Sequence, residues 1–365
     1  MKTSNINIAF CFCGQGGQDD QMGVDLYHSS STFRTFFQRL DKGYLNHSSL
    51  SGQPGLSILE LSKIQEKCID DSVLLDSGLS MVLSTFIQLG LVYLLKKANI
   101  VPLYTLGHSN GEFVAMYSSL NLDDDLSIRL IAGVIYARYR LMNDIIPGEM
   151  MVAKTSEEEM NQFIAEANAE VWVSAINTAQ AVTVSGKTDS IERLYVHCKN
   201  KGVKVSRLTM VQYPFHSPWM NDYATHFDEE AQKYFKDIVP TQTILHCSSV
   251  DGSRFDTFPD GYWKRNITQP VQFLQACQTL SEVHPDIIIE ISPTPVLHNF
   301  LKTNIPNVWV RCVQDASCET LDASFVSAMA DMANTFDELK SRVNWRFLME
   351  EFQSEQCQEM AEPFL

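Results

Sequence analysis

The sequence predicts a parallel α/β sheet covered by helices, with a small βαββαβ unit inserted into it. Three observations predict this. Short apolar, β-prone runs alternate with helical stretches, glycine-rich turns close the first two of those runs, and the order of elements changes between Glu149 and Leu208.

The first run, Asn5 to Phe12, ends in Gly14-Gln15-Gly16-Gly17-Gln18, which is a strand followed by a tight loop. A polar stretch around His47 to Pro54 separates it from Met81 to Leu95. That segment is apolar but is interrupted by Ser84, Thr85 and Gln88 and is too short to span a bilayer, so a buried helix is expected. Ile100 to Leu106 reads as a second strand with Gly107 at its end. From Leu122 to Asp144, helical spacing places Leu126, Leu130, Ile131, Val134 and Ile135 on one stripe.

Strands are then predicted at 150–154, 170–176, 181–185 and 203–208, with helices at 156–167 and 190–201. The order β-α-β-β-α-β is that of a ferredoxin-like unit. Asp286 to Ile291 has the continuous apolar run of a central strand. Beyond about Cys312 the chain turns helical and polar, with an amphipathic helix expected over Asp337 to Phe352 and a last dozen residues, rich in Glu and Gln, that fray. The expected organisation is a large α/β domain over 1–148 and 209–320, a small subdomain over 149–208 and a helical extension over 321–365.

Apolar residues make up 45% of the 365-residue chain and charged residues 20%, the balance of a folded protein with a full core. With 28 Lys and Arg against 44 Asp and Glu, the net charge of -16 repels nucleic-acid phosphates and anionic lipid, so neither is expected as a partner. The nine cysteines are scattered without CxxC spacing and read as reduced, cytosolic residues. Cys11 and Cys13 fit small buried strand positions better than a metal or redox pair, and no metal site is expected. The opening Met-Lys-Thr-Ser-Asn lacks the basic-then-apolar order of a leader, so a cytoplasmic location is expected.

The strongest local signal is Gly107-His108-Ser109-Asn110-Gly111, which follows a predicted strand and precedes the helix-like Glu112 to Leu120. This is the pattern of a nucleophile elbow, as in α/β-hydrolase-like folds. Glycines are needed there because the strained strand-to-helix turn brings backbone close together while presenting the serine at the helix N-terminus. The amide of Asn110 then points at a developing oxyanion. A serine nucleophile needs a base. Among nine histidines, His216 stands out because it lies in Tyr213-Pro214-Phe215-His216-Ser217-Pro218, whose prolines and aromatics fix the backbone.

The set formed by Gly-Gln-Gly-Gly-Gln, Gly-His-Ser-Asn-Gly-Glu, an Arg-x-x-x-Met segment starting at Arg138, Tyr-Pro-Phe-His-Ser-Pro and Ile-Ser-Pro-Thr-Pro-Val-Leu resembles the malonyl-coenzyme A:acyl-carrier-protein transacylase family. The likeness is greatest to acyltransferase domains of polyketide synthases, and order and spacing match over roughly residues 6 to 305. The resemblance implies that Ser109 is acylated, that His216 is its base, and that the amides of Gln15 and Asn110 form the oxyanion hole. It implies a two-step exchange in which a coenzyme A thioester is the substrate, no bound cofactor is needed, and the phosphopantetheine thiol of an acyl carrier protein collects the acyl group. His108, Met142, Tyr213 and Phe215 are placed beside the substrate by the same resemblance. The glycine-rich loop is not followed by Lys-Ser/Thr, so a P-loop is not expected.

Arg138 and Met142 continue the core-facing stripe of the 122–144 helix, whereas Arg140 points away. An inward arginine is costly unless paired, and its fork suits a carboxylate. That carboxylate is either a protein acid or a ligand. The resemblance makes Arg138 the residue that holds the free carboxylate of malonyl-type substrates. The sequence departs from the family pattern at Tyr139, where glycine is usual, at Asn110, where an apolar residue or Gln is common, and at Tyr213, where His or Gly is often found. A transferase acting in trans is expected, because one catalytic domain fills the chain. The alternative is an acyl hydrolase of the same family that clears carriers with water. Lys201, Lys204, Arg207, Lys264 and Arg265 are candidates for docking an acidic carrier, against the reading of an ordinary solvated surface.

Overall fold

The first strand, β1 (Ile8–Phe12), shows how the sequence builds the sheet. Every residue is buried: Ile8, Phe10 and Phe12 enter the core on one face, while Ala9 and Cys11 enter the core on the other. The computed structural model describes residues 6–50, 55–142, 145–209, 211–235, 237, 240, 243–314, 318 and 320–365. Met1 to Asn5, Ser51 to Pro54 and Asn143 to Asp144, on which parts of the expected N-terminus, polar stretch and helix fall, lie outside the described residues.

Around β1 the chain lays down β2 (Tyr104–Gly107), β7 (Leu245–Cys247), β8 (Arg254–Phe255), β9 (Ile287–Ile291) and β10 (Trp309–Cys312). The sheet order is β10-β9-β1-β2-β7-β8, parallel except for β8, which runs antiparallel to β7. In register, Phe12 lies opposite Gly107 and Ile291, so the C-terminal ends of β1, β2 and β9 meet at one edge. This is where open α/β sheets bind ligands. The second strand starts at Tyr104, not Ile100, because Pro102 has no N–H to give to a ladder.

A separate four-stranded antiparallel sheet is formed by β3 (Glu149–Ala153), β4 (Val171–Thr178), β5 (Ala181–Gly186) and β6 (Val205–Arg207), in the order β4-β5-β3-β6. With helices Glu157–Glu166 and Thr188–Asn200 it makes a ferredoxin-like unit with its own core of Met151, Val182, Val184, Ile191 and Leu194. Edge strand β4 is tied back to the large sheet's domain. Ile176 N–H donates to Val271 O (2.8 Å), and Val271 N–H donates to Ser174 O (2.9 Å).

The Ser77–Lys97 helix is long and apolar enough to cross a membrane, but almost all of its length is buried in this protein, as expected for a core helix. The helix predicted over 122–144 spans Asp125–Met142, with Arg140 outward against Glu230 (3.1 Å). Leu126 was expected on the core stripe and is instead 47% exposed. It lies in the first turn, and Ile128 takes the inward position there, so the buried stripe runs Ile128, Ile131, Ile135, Arg138.

The C-terminal region corrects two expectations. It opens with a buried helix, Leu321–Thr335, and the single helix expected over 337–352 is two, Asp337–Arg342 and Trp345–Glu351. Val343 is extended, and the Asn344 side chain caps the second helix by accepting from Phe347 N–H. The last dozen residues do not fray. They form Glu355–Ala361, capped by Ser354, and Phe364 stacks on Trp345 at 4.2 Å.

Glu351 in this region caps the Ser31–Leu50 helix from outside. One carboxylate oxygen accepts from Ser30 Oγ–H and Thr32 N–H, the other from Thr32 Oγ1–H, all at 2.7 Å. Glu351→Ala is expected to cost about 1–2 kcal/mol and to lower Tm by roughly 1–3 °C. An unchanged thermal midpoint would show that water replaces the carboxylate there.

Candidate active site

The elbow begins where β2 ends. A Cβ on Gly107 would collide with the backbone of Gly111 and Glu112, and one on Gly111 with the backbone of Phe12, so both positions need glycine for close approach. Ser109 sits between them at φ 55°, a left-handed conformation that costs a side-chain-bearing residue free energy and is held by its surroundings. Asn266 helps to hold it, donating from Nδ2 to Ser109 O at 3.1 Å. The helix Gly111–Tyr117 follows at once.

Ser109 Oγ lies 2.7 Å from His216 Nε2. His216 also has a left-handed backbone, φ 57°, and its own N–H donates to Ile267 O at 3.0 Å. Its Nδ1 lies 3.0 Å from Gln269 O. A carbonyl only accepts, so Nδ1 carries the proton and Nε2 presents a lone pair to the serine. Burial above all, and after it the electrostatic influence of His108 and Arg138, pulls the His216 pKa down to about 3. The imidazole is therefore neutral and able to accept a proton.

His108 and Phe215 line the same cleft as Ser109, His216 and Gln15. The His108 Nε2 lies 2.8 Å from Asn177 Oδ1, and Asn177 Nδ2 donates to Thr183 Oγ1 at 3.1 Å. The small subdomain thus supplies Asn177 to the elbow. Gln15 anchors its loop by donating from Nε2 to Ser77 O at 2.7 Å. Gly14 beside it has no room for a side chain, because a Cβ there would lie 2.8 Å from His108 O and 3.2 Å from Ser109 Cβ. Asn110 turns its side chain inward to Thr85 Oγ1 at 3.0 Å.

Arg138 is 4% exposed, and its Nε and Nη1 are buried without a hydrogen-bond partner. Among the described residues no acid pairs with it. Its guanidinium carbon lies 5.2 Å from the centre of the Phe215 ring, 5.6 Å from Phe113 and 5.8 Å from Phe227. Burial draws its pKa down to about 9. Arg138 and Asn110 line a small adjoining cavity with Phe113 and not the cleft of Ser109 itself, and Met142 and Tyr213 line neither. Met142 is buried near Gly78, and Tyr213 meets Phe215 edge-on at 5.7 Å. Tyr139 packs edge-on against Tyr44 at 6.4 Å, beside Gly78 and away from the nucleophile.

Three site residues gave no usable signal in the sequence. Gln269 acts through its carbonyl, which every residue has. Asn177 and Asn266 stand among other polar residues, in Asn-Thr-Ala-Gln and Lys-Arg-Asn-Ile-Thr-Gln, and nothing local singles them out before the fold juxtaposes them with the elbow. Glu112, last in the Gly-His-Ser-Asn-Gly-Glu run, is fully buried behind the elbow. Its carboxylate accepts from Ser249 N–H (2.8 Å), Ser249 Oγ–H (2.5 Å), Tyr262 OH (2.6 Å) and His246 Nε2. His246 is 2% exposed and belongs to this network. All nine cysteines are unbridged, and burial raises the thiol pKa of Cys11 and Cys13 well above the ordinary range. Of the five basic residues considered for docking, Lys201 already meets Glu166, Arg207 meets Glu149 and Glu192, and Arg265 approaches Asp251 at 3.9 Å.

A parallel α/β sheet that presents a serine on such an elbow, in contact with a buried imidazole, defines an acyl-transferring enzyme. The chain belongs to the acyl transferase domain family, whose model matches residues 9–337. It is 28% identical over 331 residues to the highly reducing polyketide synthase PKS2 of Leptosphaeria maculans, an alignment covering 85% of this chain and 13% of that protein. It is 30% identical over 300 residues to the highly reducing polyketide synthase claI of Penicillium crustosum, covering 80% and 12%. The chain thus spans about an eighth of the length of these relatives. Among solved structures, the loading acyltransferase of the avermectin modular polyketide synthase superposes with a TM-score of 0.75 at 23% identity, covering 89% of this chain and 99% of that one. The malonyl CoA-acyl carrier protein transacylase of Clostridium perfringens gives 0.70 at 20% identity, covering 90% and 98%. Both share the large α/β domain and the ferredoxin-like subdomain.

Proposed function

We propose that this chain takes a malonyl-type acyl group from coenzyme A onto Ser109 and passes it to the phosphopantetheine thiol of an acyl carrier protein, in polyketide or fatty acid biosynthesis. The observation that carries the reading is the buried Arg138 guanidinium with no acid against it among the described residues. A buried cation without an anion is expensive, and a ligand carboxylate is the group that relieves the cost.

In the first half-reaction His216 Nε2 takes the Ser109 hydroxyl proton as Oγ attacks the thioester carbonyl. The negative oxygen is received by the main-chain amides of Gln15 and Asn110 at the N-terminus of the elbow helix. Collapse breaks the carbon–sulfur bond, and the departing coenzyme A sulfur takes the proton from His216. In the second half, His216 takes the proton of the carrier thiol, whose sulfur attacks the Ser109 ester, and Ser109 recovers its proton. Gln269 O keeps the imidazole in the required tautomer throughout.

The test is intact-mass measurement of the protein mixed with malonyl-, methylmalonyl- and acetyl-coenzyme A, with and without a carrier. A malonyl-type adduct that persists without carrier and moves to it when added is expected. An adduct lost to water at the same rate with or without carrier would instead make the chain a hydrolase. The rate of adduct formation against pH gives a second check. The folded pKa of His216 lies below the ordinary imidazole value near 6.5, so the base form persists as pH falls and the rate should hold level well below pH 6. A half-loss between pH 6 and 7 would show a solvated imidazole.

A further inference from the structure

We infer that Phe113, Phe215 and Phe227 form an aromatic cage that holds the Arg138 guanidinium, and that Phe227, which lies outside the cleft, is a positioning residue for selecting dicarboxylic acyl groups. The inference rests on the reading that Arg138 receives the substrate carboxylate.

The three rings come from three separate elements: the elbow helix, the segment that carries His216, and the Asn221–Phe235 helix. Each ring centre lies within 6 Å of the guanidinium carbon, the range in which a ring quadrupole attracts a cation. The rings are themselves fixed. Phe113 stacks on Trp263 at 4.3 Å and 23°, Trp263 stacks on Phe258 at 5.0 Å and 20°, and Phe227 meets Phe113 edge-on at 5.8 Å. Tyr213 backs Phe215 at 5.7 Å.

Aromatic rings differ from an aspartate in what they leave free. A protein carboxylate would stabilise the charge but occupy the fork of N–H donors. Rings attract the ion without accepting its N–H groups in ordinary hydrogen bonds, so Nε and Nη1 remain unspent. The cage therefore keeps a cation charged, oriented and available in a site that excludes water. Phe113 lines the cavity beside Arg138 and Phe215 lines the cleft of Ser109, so substitutions there would also change acyl contacts. Phe227 lines neither and is 1% exposed, which makes it the clean probe.

The experiment measures the ratio of kcat/KM for malonyl- over acetyl-coenzyme A in Phe227→Leu, in Phe227→Tyr, and with mono- to tetrafluorinated phenylalanines at 227. Fluorination drains the ring's negative face with little change of shape. The ratio should fall roughly 3- to 30-fold in Phe227→Leu, hold in Phe227→Tyr, and decline stepwise with fluorine count. A ratio unchanged across the fluorinated series overturns the cage, as does an equal loss for both substrates in Phe227→Leu. Arg138→Met separates the two claims. If it lowers the ratio while the fluorinated series does not, the cage fails and the carboxylate reading stands. If Arg138→Met leaves the ratio unchanged, the carboxylate reading fails, and the cage's role in selection falls with it.

Discussion

Replacing Ser109 by alanine is expected to abolish covalent loading and to lower transfer by a factor on the order of 10⁶, the scale set by removing a serine nucleophile from a site whose members act as a unit. Its hydroxyl is the group that meets His216 Nε2, at 2.7 Å, and among the described residues no thiol lines the cleft to take its place. Cys11 and Cys247, which stand opposite Leu106 on the two strands beside β2, are fully buried, and burial raises both thiol pKa values. Intact-mass spectra after mixing with malonyl-coenzyme A should show the adduct in the wild type and none in Ser109→Ala. His216→Ala should lose nearly as much, and the double variant little more than either alone. The fold should survive, because the strained turn is held by Gly107, Gly111 and the Asn266 bond to Ser109 O, none of which needs the hydroxyl. An adduct retained in Ser109→Ala would remove this residue from the chemistry.

How far the sequence discloses this site depends on which part of a residue acts. The roles proposed for Ser109, His216 and Arg138 belong to side chains in rigid or costly contexts, and those contexts are written locally: glycines around the serine, prolines around the histidine, an arginine on an apolar stripe. Gln269 meets the imidazole through its carbonyl and leaves no mark, whereas the Gln15 and Asn110 amides proposed as the oxyanion hole were expected only from the motifs around them. Asn177 and Asn266 are legible only through contacts spanning 69 and 157 residues. The βαββαβ unit was readable because each of its strands alternates or runs apolar between turn residues, and the core strand β9 because it is nearly pure isoleucine. The C-terminal region was misread for a different reason. Residues 337–352 carry helical periodicity across a break that is made by one capping side chain, Asn344, and by the extended Val343. Leu126 was misplaced because a stripe drawn at 100° per residue gives no sign of where the neighbouring helix stops covering it.

A structural arginine and a ligand-binding arginine predict opposite effects on stability, and Arg138→Met tells them apart. If Arg138 existed to support the fold, it would be paired, and its removal would strand a buried acid. No described acid pairs with it, so a methionine of similar length should relieve a desolvated charge, and Tm is expected to hold or rise. Selectivity should move the other way. Loss of a charge-assisted, two-pronged contact to a substrate carboxylate is worth about 3–4 kcal/mol, so the malonyl-over-acetyl ratio of kcat/KM should fall by roughly 10²–10³. The acetyl reaction gains from the same change, since an apolar wall suits a methyl group better than a bare cation does. A several-degree drop in Tm with an unchanged ratio would assign Arg138 to the scaffold and leave the acyl group without its anchor. A higher Tm with a collapsed ratio means that the protein spends stability on an unpaired charge in order to recognise its substrate.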